Sequence, residues 1–184
     1  MDVCRRLGLD ANEPIILVSG GSEGLGGIDA TVTRLLDIRD CRAGIIVLVG
    51  RNARLKAACE KIARERAPAR VRVLGWTSDV AELMRAAELM VSKLGHTFDE
   101  ALASGLPVVA LEPPPGSERV QYSLLDTWGV GRAVHSLDEM AAVVGRLLAD
   151  GTELEEMRQA AARRHTPDAA QHIAALVTSR EAFS

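Results

Sequence analysis

Residues 93–122 hold the side chains of this chain that are best suited to binding a ligand. A helix predicted over 97–104 carries the Glu100 carboxylate near its start, and a strand predicted over 108–111 runs into a polar loop over 113–121. In an open α/β sheet, the loops after the strands and the starts of the next helices face the same side. A carboxylate there can accept hydrogen bonds from a ribose diol, and the loop can offer amides and polar side chains to a sugar.

A glycine-rich run over 19–27 follows the first apolar run, residues 15–18. Glycines let backbone N–H groups approach an anion closely, and a helix that begins after them adds partial positive charge. The run therefore predicts a phosphate-binding loop, although the glycines could also serve only a tight turn from strand to helix. The candidate residues in this loop are Gly20, Gly21, Ser22 and Gly24.

The same loop is compatible with a second class of protein, because the spacing G-x-x-x-G-x-G from Gly20 onwards also occurs in short-chain dehydrogenases. That class pairs the loop with a catalytic Tyr-x-x-x-Lys, but the only tyrosine, Tyr122, has Asp126 at the lysine position. The second strand is followed by Arg51 instead of the Asp or Glu that binds the ribose of NAD, although an arginine there suits NADP. No Gly-Lys-Ser/Thr follows the glycines, which disfavours a P-loop nucleotidase.

Six apolar runs alternate with longer segments of helical pattern. The runs cover residues 15–18, 45–49, 71–74, 89–91, 108–111 and 131–134. Helices are predicted over 27–38, 53–66, 79–87, 97–104, 119–128, 137–149, 153–164 and 168–180. Strands that are apolar on both faces and alternate with helices predict an α/β fold with a doubly wound, mostly parallel, six-stranded Rossmann-like sheet. Ser136 with Glu139 has the pattern of a helix capping box, and Asp79 is an N-cap or first-turn acid.

Composition excludes several classes of partner. A net charge of −3 and 3% aromatic residues give no indication of nucleic-acid binding. No apolar run approaches the ~18 residues of a membrane span, and the first residues are polar, unlike a signal peptide. The three cysteines lack the spacing of a disulfide framework or a metal site, which predicts a cytoplasmic location. The scarcity of lysine beside arginine and alanine suggests a bacterial source.

The length of 184 residues suits a single domain. We expect a lead-in over 1–13, a core over about 14–150 and C-terminal helices over 151–184.

Four sequence segments, in order along the chain, each follow a predicted strand. They are residues 20–24, 50–52, 75–84, and 93–105 with its partner 116–122. Together they resemble the C-terminal, nucleotide-sugar-binding half of a GT-B glycosyltransferase. The resemblance is to glycosyltransferase family 28, which includes monogalactosyldiacylglycerol synthases and the lipid II N-acetylglucosaminyltransferase, and it extends over residues 15–148. The chain departs from the family pattern at residues 94–96, where relatives have Ser-Gly or Ala-Gly-Pro-Gly, and at Val120, where one version has a glutamine.

The resemblance implies a UDP-sugar as the donor substrate, with no cofactor and no metal, and it assigns roles to the motifs. The first loop and the residues that open the helix at 97–104 would bind the diphosphate, while Trp76 and Thr77 would flank the uracil. Glu100 would bind the ribose, and the loop after the fifth strand would bind the donor sugar. The predicted ligand-binding residues are Gly20, Gly21, Ser22, Gly24, Arg51, Trp76, Thr77, Gly95, His96, Thr97, Glu100, Glu118 and Gln121.

Four of these residues also have an interpretation without a ligand. Glu100 could be an acid favoured by the helix dipole, and Trp76 could be a packing residue. Arg51 could be a solvated or structural arginine, and His96 an ordinary exposed loop residue.

As the donor half of a GT-B enzyme, the chain would take part in transferring a hexose to a lipid or another acceptor. The acceptor site and the general base would come from an N-terminal domain or subunit, which could also contact a membrane peripherally. The isolated chain is therefore expected to bind donor without turnover, because catalysis also needs a positioned acceptor and base. The alternatives are one half of a nucleotide-sugar hydrolase, a non-catalytic binding subunit and, more distantly, an NAD(P)-dependent dehydrogenase-like protein.

Overall fold

The computed structural model describes residues 3–24, 27–111, 119–164 and 168–178. The strands are β1 Ile15–Ser19, β2 Gly44–Leu48, β3 Val71–Leu74, β4 Leu89–Ser92, β5 Val108–Leu111 and β6 Gly131–Val134. The helices are α1 Val3–Leu7, α2 Ile28–Leu36, α3 Ala53–Arg66, α4 Val80–Ala86, α5 His96–Ala103, α6 Arg119–Trp128, α7 Leu137–Ala149, α8 Gly151–Arg164 and α9 Ala169–Thr178.

The six strands form one sheet in the order β3-β2-β1-β4-β5-β6, and every pair in it is parallel. Leu17 of β1 lies opposite Ile46 of β2 on one side and Met90 of β4 on the other. The chain moves outwards from β1 to β3, then returns to the other side of β1 with β4. The predicted doubly wound α/β fold is therefore confirmed, and the strand order reverses between β1 and β4. In such sheets a crevice opens at the carboxyl ends of the two strands that flank this reversal.

Helices cover both faces of the sheet, which explains why its strands are continuous apolar runs. All five residues of β1 are buried. Leu17 belongs to the core cluster on one face, which contains Phe98 of α5, while Ile16 belongs to the cluster on the other face, which contains Leu35 of α2. Successive side chains of a strand point to opposite faces, so a strand buried on both sides has no solvent-facing position along its length, and in β1 only the last residue, Ser19, is polar.

The capping box predicted at the start of α7 is present. The Ser136 hydroxyl accepts a hydrogen bond from the Glu139 amide over 3.1 Å, and the Glu139 carboxylate accepts one from the His135 amide over 2.7 Å. Asp79 occupies the N-cap position of α4 but makes no side-chain cap bond. Its amide donates instead to the Thr77 hydroxyl over 3.1 Å, and its carboxylate lies 3.8 Å from the Arg6 guanidinium.

Within the described residues, no helix is both long and apolar enough to cross a membrane, and no three His, Cys, Asp or Glu residues are grouped as metal ligands. The pKa of the Cys59 thiol is raised from 9.0 to about 11, first by burial and second by the nearby Asp29 carboxylate. This thiol therefore stays protonated at neutral pH and is not an activated nucleophile.

Candidate functional site

Two adjoining cavities lie at the carboxyl ends of the strands around the β1/β4 reversal. The β3-side cavity has a volume of about 160 Å³ and extends from the end of β1 to the loop after β3. The β4-side cavity has a volume of about 380 Å³ and lies between the first loop and the residues that join β4 to α5. Both cavities are lined by Gly21, Ser22, Thr97 and Glu100, so they form one continuous cleft.

The first loop is held in place by the loop that follows β2. The Arg51 amide donates to the Ser22 carbonyl over 2.9 Å, and the Asn52 side-chain amide donates to the Glu23 carbonyl over 3.4 Å. Gly50 has a φ of 58°, and a Cβ atom at this residue would lie 2.1 Å from the Ser22 oxygen. The close approach of the two loops therefore requires glycine at residue 50. This contact explains why the sequence segment 50–52 occurs together with the first loop, which is the candidate for phosphate binding.

The glycines of the first loop have different surroundings. Gly21 is exposed, has a φ of 70° and has no atom within 4 Å of the position of a Cβ, so this side of its backbone is uncrowded, while its amide donates to the Ser19 hydroxyl over 3.4 Å. Gly24 lines neither cavity, and a Cβ there would lie 2.8 Å from both the Leu55 side chain and the Val49 carbonyl. The geometry assigns Gly24 to packing of the loop against α3, while Gly20, Gly21 and Ser22 face the cleft.

Trp76 forms the outer wall of the β3-side cavity and is 62% exposed. This exposure excludes a core-packing role for the indole. The Arg51 guanidinium lies 5.8 Å from the centre of the indole ring, within the range of a cation–π contact. Arg51 itself lines neither cavity, and its link to the β3-side cavity is this contact with Trp76. Thr77 also lines this cavity. Its hydroxyl accepts a hydrogen bond from the Asp79 amide, which fixes the turn into α4.

The start of α5 forms the other wall of the cleft. Gly95, His96 and Thr97 line the β4-side cavity, and the first amides of a helix have no partner within the helix itself. Glu100 is exposed and lines both cavities, whereas Asp99 is the acid in the first turn of the helix. Since the dipole effect falls off within the first turn, the position of Glu100 favours a contact with a ligand.

Three residues at the β1/β4 reversal were not among the predicted site residues. Ser19 lines the β3-side cavity and Lys93 the β4-side cavity. The Ser92 hydroxyl lies 2.9 Å from the Ser19 carbonyl and 2.8 Å from the Lys93 carbonyl, so it joins the ends of β1 and β4. Ser19 and Ser92 are buried polar residues at the ends of apolar strands. A serine that ends an apolar run is the sequence signal that could have identified them.

Of the two predicted sugar-binding residues, Gln121 and Glu118, the structure describes only Gln121. Gln121 in α6 lines neither cavity, and its side-chain oxygen is buried without a hydrogen-bond partner. Glu118 lies outside the described residues, as does most of the polar loop after β5. The contact of these residues with a donor sugar stays a prediction.

A half GT-B fold with a polar cleft at its topological reversal defines the class of the protein as a glycosyltransferase domain. The family model described as "Glycosyl transferases group 1" matches residues 13–150, and the chain belongs to this family. The predicted GT-B identity is confirmed.

Curated relatives include two named processive diacylglycerol beta-glucosyltransferases. The protein from Bacillus pumilus is 28% identical over 173 residues, which is 93% of this chain and 44% of that protein. The protein from Staphylococcus carnosus is 33% identical over 153 residues, which is 82% of this chain and 38% of that protein. The chain therefore spans less than half the length of these relatives.

Solved structures show the same fold at lower identity. MurG of Acinetobacter baumannii superposes with a TM-score of 0.78 at 22% identity, over 91% of this chain and 50% of that one. Anabaena HepE, solved in complex with UDP and glucose, superposes with a TM-score of 0.71 at 21% identity, over 96% of this chain and 51% of that one.

Proposed function

We propose that this chain binds a UDP-sugar as the donor half of a glycosyltransferase that transfers a hexose to a lipid acceptor. The observation that carries the proposal is the cleft at the β1/β4 reversal. It brings two loop residues, Ser22 and Thr77, and Glu100 of α5 to one surface, although they are far apart in the sequence. The naming of curated relatives as diacylglycerol glucosyltransferases supports a lipid acceptor and glucose as the hexose.

The donor would lie along the cleft with its nucleoside in the β3-side cavity and its sugar beyond the β4-side cavity. Trp76 and Thr77 would contact the uracil, and the Glu100 carboxylate would accept hydrogen bonds from the ribose hydroxyls. The exposed Gly21 backbone and the first amides of α5 would face the diphosphate, where helix-end partial charges favour an anion. The same groups would stabilise the negative charge of UDP as it leaves.

A second domain or subunit would bind the acceptor, position its hydroxyl and supply the base that removes the hydroxyl proton. Binding the donor well gives no rate unless the nucleophile is also positioned. The dehydrogenase alternative is disfavoured because Tyr122 is fully buried and lines neither cavity. A cytoplasmic location and peripheral membrane contact through the second domain stay predictions.

Calorimetry with UDP, ADP and NAD tests the proposal. We expect UDP to bind most tightly, in the high micromolar range or weaker, because much of the ligand stays in contact with water when one wall of the cleft is absent. Tighter binding of NAD than of UDP would support the dehydrogenase alternative, and absence of UDP binding would contradict the proposal.

Release of UDP from UDP-glucose, UDP-galactose and UDP-N-acetylglucosamine, with and without diacylglycerol, tests the half-enzyme proposal. We expect no steady turnover by the isolated chain. Turnover that needs diacylglycerol and disappears in Glu100→Ala would show that the chain contains its own acceptor site. Turnover without any acceptor would instead support the hydrolase alternative.

A further inference from the structure

Tyr122 is the one tyrosine of the chain and has no place in the site as described so far. It lies in α6, its side chain is fully buried, and it lines neither cavity. Its hydroxyl accepts a hydrogen bond from the Leu94 amide over 3.3 Å. Leu94 belongs to the segment that joins β4 to α5 and lines the β4-side cavity together with its neighbours Lys93 and Gly95.

This segment follows Ser92, the last residue of β4. Leu94 is itself 3% exposed, and its side chain packs in the same core cluster as Tyr122 and Phe98. The Ser92 hydroxyl contacts the Lys93 carbonyl over 2.8 Å on one side of Leu94. The tyrosine hydroxyl accepts from the N–H of the same Lys93–Leu94 peptide, so the two contacts together fix the orientation of this peptide at the wall of the cleft.

The other contacts of α6 make it a rigid support for this hydrogen bond. The Phe98 ring of α5 and the Trp128 ring of α6 are stacked with their centres 6.3 Å apart. Leu125, on the same helix, is also fully buried in this cluster. A phenylalanine at Tyr122 would keep this packing, so the hydroxyl contributes the contact with Leu94 rather than the fill of the core.

We propose that Tyr122 is a positioning residue for binding of the donor diphosphate. Through the Leu94 amide it holds the backbone of residues 93–97, which line the β4-side cavity. Because α6 also carries Gln121, the same helix positions the wall for the diphosphate and the predicted contact to the sugar. This proposal rests on the proposed function, because it concerns the phosphate end of the same cleft.

Tyr122→Phe tests the proposal, with affinities for UDP and for uridine measured by NMR titration. We expect the affinity for UDP to fall about three- to tenfold, the usual range for loss of one hydrogen bond. The affinity for uridine should not change, because uridine has no phosphate to contact residues 93–97. Hydrogen exchange at the Leu94 amide should become faster, while exchange at Met90 and Val91 within β4 should stay as in the wild type.

Thr127→Val is the matched control. It also removes a hydroxyl from α6, but the Thr127 hydroxyl bonds within the helix to the Ser123 carbonyl and is exposed. This variant should bind UDP and uridine as the wild type does.

Three outcomes would overturn the proposal. If Tyr122→Phe binds UDP as tightly as the wild type, Tyr122 does not position the diphosphate site. If UDP and uridine lose affinity equally and the melting temperature falls, the role of Tyr122 is structural only. If the wild-type chain binds neither UDP nor uridine, the proposed function fails together with this proposal, which separates that result from the first two.

Discussion

Replacing Gly50 by alanine is expected to destabilise the domain and to abolish measurable UDP binding. The added Cβ would lie 2.1 Å from the Ser22 oxygen and 2.8 Å from the Gly21 oxygen, which are backbone atoms and cannot rotate away. The residue would also have to keep a φ of 58°, which costs a non-glycine residue about 1–2 kcal/mol. Overpacking typically adds about 1–3 kcal/mol. We therefore expect a loss of about 2–5 kcal/mol in the free energy of unfolding, measured with urea.

Gly129→Ala separates the cost of the positive φ from the cost of the steric clash. Gly129 has a φ of 66°, and no atom lies within 4 Å of the position of its Cβ. It also lies outside both cavities. This variant should lose only the conformational part, about 1–2 kcal/mol, and should bind UDP as the wild type does. Equal stability of the Gly50 and Gly129 variants, with UDP binding retained in both, would show that the first loop does not depend on its contact with Gly50.

Replacing Glu100 by alanine is expected to weaken UDP binding without unfolding the domain. The carboxylate is exposed and lines both cavities, so the fold does not depend on it for packing. Hydrogen bonds to a charged group contribute about 1.5–3 kcal/mol. At about 1.4 kcal/mol for each factor of ten, the affinity for UDP should fall on the order of 10- to 150-fold, measured by calorimetry or NMR titration.

Asp99→Ala is the control for Glu100→Ala, since Asp99 is an exposed acid on the same helix and lines neither cavity. The ribose contact itself can be tested with 2′,3′-dideoxy-UDP. The wild-type chain should bind this analogue more weakly than UDP, and Glu100→Ala should bind both to a similar extent. Equal binding of UDP and the analogue by the wild type would contradict the ribose role of Glu100.

Much of the fold could be predicted because its signals are local. The central strands β1, β2 and β4 are buried on both faces and mainly apolar, and the bounds of β3, β5 and β6 match the predicted ones. The helix ends also carry local signals, and Ser136 caps α7 as its spacing to Glu139 indicates. Many of the loop residues predicted at the strand ends line the cleft, because parallel strands bring their carboxyl ends to one edge of the sheet, but Gly24, Arg51 and Gln121 line neither cavity.

The contacts that hold the cleft together could not be predicted, because they join residues far apart in the sequence. Ser92 bonds to the Ser19 carbonyl, 73 residues away, and Tyr122 bonds to the Leu94 amide, 28 residues away. Tyr122 ends the segment 116–122, but nothing in that segment indicates the contact with Leu94. Gly50 could be recognised as a turn residue, but its close approach to Ser22 depends on how two loops meet in three dimensions.

An NMR titration of the isotopically labelled chain with UDP tests the central claim most directly, because it locates the ligand without a variant. We expect the amide signals of Gly21, Ser22, Thr77 and Thr97 in the cleft to shift in proportion to bound UDP. A cavity of about 280 Å³ at the other end of the strands, which Arg42 and Arg70 line, provides the internal comparison. The amide signals of the residues that line this second cavity should not shift. Shifts confined to that cavity, or no shifts at millimolar UDP, would contradict donor binding at the β1/β4 reversal.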